Sequence, residues 1–248
     1  MLEKVKNLLI LAYYFVRILS FYIPALIRAK WTVHKGDKKR AKEILYHNAA
    51  SKLFRMIDVR LNIRGHAEVE AKNRPVLYVS NHPSMLDIPT LFRVIDLDTR
   101  MLYSYEVAQF PFPGFKWILK TFDHLPISNK RDKQLETDLK HINEAMANGG
   151  YYWAAPEGGL QSNGLAPFKK TVFHLAKEHQ ALVVPICIKG SGQIIAQAKD
   201  WFNVHINRGR TISCTILPAL DANHYEDVKG LWEASYFAIK NELEDQPE

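Results

Sequence analysis

The chain has 248 residues, 47% of them hydrophobic, enough for one α/β domain with a sizeable core and a short appendage. Lysine and arginine total 33 against 26 aspartate and glutamate; this net charge of +7 favours anionic partners such as lipid headgroups, phosphorylated cofactors and acidic carrier proteins. Nucleic acid is set aside, because the sequence has no zinc-finger spacing, no aromatic-and-basic RNA-binding signature and no arginine-rich tail.

Residues 7–27 form an apolar stretch of about membrane-spanning length, interrupted by Arg17 and Pro24. Lys4 and Lys6 precede it and Arg28, Lys30 and Lys35 follow it, so the positive-inside rule assigns no orientation. It is too long for a signal peptide, and no small-residue cleavage pattern follows. The expectation is an interfacial or shallowly inserted anchor on the cytoplasmic face of an inner or cytoplasmic membrane with anionic headgroups, the tyrosines and Arg17 at headgroup depth. A spanning helix with Arg17 snorkelling and an ordinary buried helix are the alternatives. Residues 37–56 carry apolar positions at helical spacing, which predicts a second helix. Residues 1–56 are thus read as membrane-binding helices and 57–248 as the catalytic domain.

Short β-rich runs follow at 59–65 and 75–81. Strand-like MLYSYE, YYWAAP, ALVVPICI and TISCTILP then alternate with helical RDKQLETDLKHINEAMA and FKKTVFHLAKE, before a closing helix near 225–243. This order predicts an α/β layered domain, a mainly parallel mixed sheet flanked by helices, with antiparallel strands late in the chain. Cys187 and Cys214 each stand alone in an apolar run, which predicts reduced, buried thiols and a cytosol-facing location.

The strand ending at Asn81 leads into His82 and Pro83, and Pro83 suits the first position of a helix. A helix from Pro83 would carry Asp87 about one turn along, within reach of the imidazole. A carboxylate there fixes the tautomer and stabilises the imidazolium when His82 acts as general base on a substrate hydroxyl. Taken alone, the pair is equally compatible with helix capping. Further on, Glu157 ends a strand, Gly158, Gly159 and Gly164 permit close approach of a ligand, and Lys169 and Lys170 open a helix whose positive end suits phosphate. His174 and His179 lie five residues apart, whereas zinc pairs on a helix use four; no metal site is expected.

Together these segments resemble the glycerolipid acyltransferases typified by lysophosphatidic acid acyltransferase. Asn81, His82 and Asp87 match the family's first block in full. Pro156, Glu157, Gly158, Gly164, Phe168, Lys169 and Lys170 match its third, and Val184, Pro185 and Ile186 its fourth. The resemblance implies direct acyl transfer from acyl-CoA or an acyl-carrier protein to a lyso-lipid hydroxyl, with His82 as base, Asp87 as its orienting acid, and no metal or organic cofactor. It also implies substrate contacts from Asn81, Arg131, Glu157, Gly158, Lys169 and Lys170. Gly159 and Leu160 replace the family's Thr-Arg; in the second block, Asp123 and Asn129 stand for glycine and arginine, with Lys130 and Arg131 following. Two acceptors therefore stay open. One is lysophosphatidic acid, its phosphate held by Lys169, Lys170 and Arg131; the other lacks a phosphate monoester, as in a lyso-aminolipid. An idle lipid-binding scaffold is the non-enzymatic alternative.

Overall fold

The structure is a computed structural model that describes residues 2–66, 69, 74–130, 132–161, 164–196 and 205–245. Helix α1 (Leu2–His34) contains the whole apolar stretch, with Pro24 in its interior. The chain reverses at Gly36, whose φ of 86° suits a residue without Cβ, and Asp37 caps the next helix by accepting from the Arg40 N–H at 2.8 Å. That helix runs as α2 (Lys38–Lys42), a π-helical segment (Glu43–Ala49) and α3 (Ala50–Met56), covering the predicted span.

The sheet begins beyond. In chain order the strands are β1 (Arg60–Arg64), β2 (Pro75–Ser80), β3 (Arg100–Tyr103), β4 (Leu125–Pro126), β5 (Gly150–Ala154), β6 (Leu182–Lys189), β7 (Ile195–Ala196), β8 (His205–Ile206), β9 (Thr211–Ile216) and β10 (Leu220–Asp221). The main sheet is ordered β1-β9-β6-β2-β5-β3-β4, with β10 paired to β6, while β7 and β8 form a separate antiparallel pair. β2 is parallel to both β5 and β6, and every one of its residues is buried, as its unbroken apolar run requires. The antiparallel pairs of the main sheet involve the late strands β9 and β10, each against β6. Pro185 falls between them: β10 pairs at Leu182 and Val183 and β9 from Ile186 onward, so the missing N–H costs no rung on that side.

Helices α4 (Asp87–Leu91) and α6 (Phe115–Thr121) cover one face of the sheet together with α3; α5 (Tyr105–Ala108) follows β3. Helices α7 (Lys133–Met146), α8 (Thr171–Glu178) and α10 (Val228–Glu244) cover the other face, and α9 (Ser191–Ile194) turns the corner after β6. The helical N-terminal region is not a detached unit. Ala50 and Phe54 are buried in the same core as Val76 and Tyr78, and Ala29 of α1 packs with Ile44, Ile118 and Phe122. His124, buried and pushed down to about 3 chiefly by desolvation, joins the two parts as a neutral bridge: it accepts the Met101 N–H at 2.9 Å and bonds the Tyr46 hydroxyl at 2.8 Å.

Some boundaries differ from the sequence expectation. The MLYSYE run is strand only to Tyr103 and then turns helical, and Lys169 and Lys170 precede α8 rather than lying inside it. Both cysteines are buried and free, each pushed up to about 12 by burial first of all.

Candidate active site

At the end of β2 the side chain of Asn81 takes over from the backbone. Its Nδ2 donates to the Ile188 carbonyl and its Oδ1 accepts the Ile188 N–H, both at 2.8 Å, so the amide adds one more rung to the β2–β6 ladder. The chain can leave the sheet here without orphaning the Ile188 peptide. Asn81 is thus placed as a clamp under the next residue, with its amide engaged by backbone.

His82 is then held from both sides of its own peptide. Its N–H donates to Glu157 Oε1 at 2.7 Å, and its carbonyl accepts the Gln161 N–H at 2.9 Å. The helix expected from Pro83 starts instead at Asp87, because local side-chain bonds capture the intervening turn. Ser84 Oγ accepts the Leu86 N–H at 3.2 Å, and Asp87 Oδ2 accepts the Ser84 N–H at 2.8 Å. The turn achieves what the expected helix was to do: His82 Nδ1 lies 2.9 Å from the same Asp87 Oδ2.

Asp87 has no exposed surface and His82 is 9% exposed. A carboxylate can only accept, so the proton of the neutral imidazole is on Nδ1 and Nε2 keeps its lone pair, which is the tautomer a general base needs. The Trp153 ring meets the imidazole edge-on, centroids 6.0 Å apart, and is itself fixed by Nε1–H donation to Ser80 Oγ at 3.0 Å. Asp87 Oδ1 is buried and has no hydrogen-bond partner among the described residues.

Glu157 is buried, and its two oxygens serve two loops: Oε1 takes the His82 N–H and Oε2 takes the Ala166 N–H at 2.7 Å. Burial pushes its carboxyl above the ordinary value, outweighing the two backbone donors and nearby His82, which pull it down. Its placement makes Glu157 a support for the His82 peptide. Gly158 has φ of 79°, and a Cβ there would collide with the Lys169 side chain. Lys169 Nζ donates to Asn129 Oδ1 at 2.8 Å, and Asn129 Nδ2 to the Gly158 carbonyl at 3.2 Å, closing a small polar cluster. Lys170 diverges from it, its ammonium 5.3 Å from the centre of the Trp232 ring on α10. Arg131 lies outside the described residues.

Ser84, Trp153 and Gln161 escaped the sequence reading. Ser84 carried a signal, since Ser-x-x-Asp is a capping-box pattern, while Trp153 and Gln161 reach His82 only through the sheet and the 156–166 loop. A cavity of about 740 Å³ opens beside this loop, lined by Asn81, Pro83, Gln161, Gly192 and Tyr236 among others. Among the described residues no group of three or more His, Cys, Asp or Glu side chains is placed to hold a metal ion, and His179 bonds Asn143 Oδ1 at 2.8 Å.

A buried, backbone-anchored aspartate, a histidine that it meets through Nδ1 and an adjoining cavity suit proton abstraction from a bound hydroxyl. The profile of the Acyltransferase family matches residues 60–189, spanning β1 to the end of β6. The chloroplastic 1-acyl-sn-glycerol-3-phosphate acyltransferase LPAT1 of Arabidopsis thaliana is 28% identical over 167 residues, 65% of this chain and 46% of the relative. The 1-acyl-sn-glycerol-3-phosphate acyltransferase of Saccharomyces cerevisiae is 26% identical over 173 residues, 68% of this chain and 55% of the relative. The chain spans about half the length of these curated relatives. The crystal structure of the 1-acyl-sn-glycerophosphate (LPA) acyltransferase PlsC from Thermotoga maritima has the same fold, with a TM-score of 0.76 over 99% of both chains at 19% identity. With the profile matched over more than half of its length, and with the profile's span holding both His82 and its orienting aspartate, the chain belongs to the acyltransferase family.

Proposed function

We propose that the chain moves a fatty acyl group from a thioester donor, acyl-CoA or acyl-carrier protein, to the free hydroxyl of 1-acyl-sn-glycerol-3-phosphate, forming phosphatidic acid. The observation that carries this reading is the 2.9 Å contact between His82 Nδ1 and the fully buried Asp87. His82 Nε2 takes the hydroxyl proton as the oxygen attacks the thioester carbon. A C–O bond forms, the C–S bond breaks, and the proton passes from the imidazolium to the leaving thiolate. No acyl-enzyme, metal or organic cofactor takes part. Relatives that are 1-acyl-sn-glycerol-3-phosphate acyltransferases support the acceptor, and Lys169, tied through Asn129 to the glycine loop, is a cation held beside that loop.

The enzyme works at a membrane surface, the catalytic domain on the cytoplasmic side. Residues Leu8–His34 are long and apolar enough to cross a bilayer. Yet Tyr14 packs against the catalytic core and Ala29 is buried further along, points about 22 Å apart on a helix rising 1.5 Å per residue. Leu9, Val16 and Ile27 project outward. A helix laid against its own domain along that length, with an apolar outer face, supports interfacial attachment over spanning.

A second reading has its own observation. Gly159 and Leu160 offer no cation, and Lys170 turns to Trp232, which leaves Lys169 as the described cation of that loop and favours an acceptor without a phosphate monoester. The test is transfer by the full chain in vesicles from labelled acyl-CoA and acyl-carrier protein to a panel of lyso-lipids. Product from lysophosphatidic acid is expected. Product only from a phosphate-free lyso-lipid would shift the assignment to the second reading, and no product from any acceptor would end both.

A further inference from the structure

Away from the catalytic loop, a cavity of about 630 Å³ opens at the β3–β4 edge of the sheet, bounded by β3, the end of α5 and α6. Arg100, Lys116 and Lys120 line it, with Tyr103, Asp123 and His124. Asp123 is already engaged by Lys38 at 3.3 Å, and His124 is held neutral by burial. Among the described residues none of the three cations has a carboxylate partner within 4.0 Å. Lys116 and Lys120 stand four apart on α6, a spacing at which like charges destabilise a helix, and the Arg100 guanidinium is 6.0 Å from the centre of the Tyr152 ring. Three uncompensated positive charges around one concavity focus a field suited to several negative charges at once.

The strand register relates this cavity to the base. Met101 pairs with Trp153, and Trp153 with Tyr78, so Tyr103 and Ser80 stand level on either side of β5. Two strand spacings separate them, about 10 Å. Ser80 is two residues before His82, and Tyr103 packs against the same core as Trp153, whose ring meets the imidazole. Arg100 is level with Tyr152 and Leu77, five residues before His82, so a ligand with its anionic end among Arg100, Lys116 and Lys120 needs a flexible arm of about 20 Å to pass over the end of β5 to His82.

We infer that this cavity is a subsite for the phosphates of a nucleotide-bearing thioester donor, the coenzyme A portion of acyl-CoA. That molecule has a charged end with three phosphate groups, a neutral pantetheine arm and the reacting thioester at the far tip, the same order as cavity, β5 end and His82. A single phosphate on a lyso-lipid headgroup supplies the same chemistry but matches one of the three cations. The inference rests on the reading that His82 acts on a thioester donor.

The test uses full-length protein in detergent and the double variant Lys116→Gln/Lys120→Gln, both positions being exposed on α6. Titration with free coenzyme A is expected to show affinity at least tenfold weaker in the variant, with a shallower salt dependence, at a melting temperature no lower than that of the parent protein. The KM for acyl-CoA should rise in parallel, while the KM for acyl-pantetheine, which lacks the nucleotide, and for the lyso-lipid should not move. Equal coenzyme A affinity in the two proteins overturns the subsite. So does a KM increase confined to the lyso-lipid, which would make the cavity a headgroup site. Coenzyme A binding that weakens in the variant, in a protein that transfers no acyl group, upholds the subsite and rejects the transfer reading instead.

Discussion

The two sides of the active-site mouth are built differently. Around His82 the contacts are buried and anchored to backbone: Asn81 on Ile188, the His82 N–H on Glu157, the His82 carbonyl on Gln161, and Asp87 on both Ser84 and the imidazole. Around Gly158 the contacts are side chains near solvent: Lys169 reaches Asn129, and Lys170 leaves for Trp232. A buried network holds a base within a narrow range of geometry because each member fails if its neighbour moves. An exposed lysine can be exchanged with little disturbance to that geometry. Chemistry and acceptor choice are therefore separable, so damage to the first side should lower turnover and damage to the second should change affinity.

The sharpest test of that separation is Asp87→Asn, which leaves size unchanged but removes the carboxylate that sets the His82 tautomer. Turnover should fall about 10²–10⁴-fold with both substrate KM values nearly unchanged. A loss of only a few fold in steady-state rates would break the distinction at its strongest point.

Glu157→Gln should come next, since the amide accepts from one loop but presents N–H to the donor of the other. Loss of one buried hydrogen bond is worth about 1–3 kcal/mol, so turnover should drop roughly 5- to 160-fold while the acceptor KM stays close to that of the parent protein. Stability against pH provides a second readout. Burial raises the Glu157 carboxyl above its ordinary 4.5, so the folded state keeps a proton that the unfolded chain has released. That contribution is complete below the unfolded value and is lost as pH rises through the folded one. The parent protein should therefore lose stability relative to Glu157→Gln on going from acid towards neutral pH; parallel denaturation curves would contradict a proton-holding Glu157.

A smaller effect on turnover is expected from Lys169→Met. If Lys169 grips a phosphate, the KM for lysophosphatidic acid should rise about tenfold or more, with kcat within a few fold. An unchanged KM would favour the acceptor without a phosphate monoester. Least effect on the chemistry should follow from Leu9→Glu with Val16→Glu on the outer face of α1. Vesicle binding in a flotation assay should weaken by about tenfold or more, while rates in detergent stay constant. Undiminished flotation would remove α1 from the membrane contact.

Much of this arrangement was legible in the chain itself. The apolar runs of β2, β5 and β6 marked the sheet centre, and the His82–Asp87 spacing marked the contact between those two side chains. The means by which Asp87 reaches His82 is a turn and not the helix its spacing suggests, because Ser84 competes for backbone N–H groups that a helix would have used. The backbone partners of Asn81 and Glu157 are not legible in the chain, because they are remote: Ile188 lies 107 residues on from Asn81, and Glu157 lies 75 residues on from His82. No local pattern encodes such pairings, which arise only when β2, β5 and β6 are laid side by side. Lys169 and Lys170 are adjacent and identical in type, and Trp232, from the far end of the chain, decides that they diverge.

The central claim is that His82 itself deprotonates the acceptor, and the most direct measurement is the initial rate of labelled acyl transfer by His82→Ala beside the parent protein at saturating donor and acceptor. With His82 as the base, the variant's rate should be lower by about 10²–10⁴-fold, with unchanged substrate affinities and an intact thermal transition. A correctly folded His82→Ala protein that transfers acyl groups within a few fold of the parent rate would contradict it.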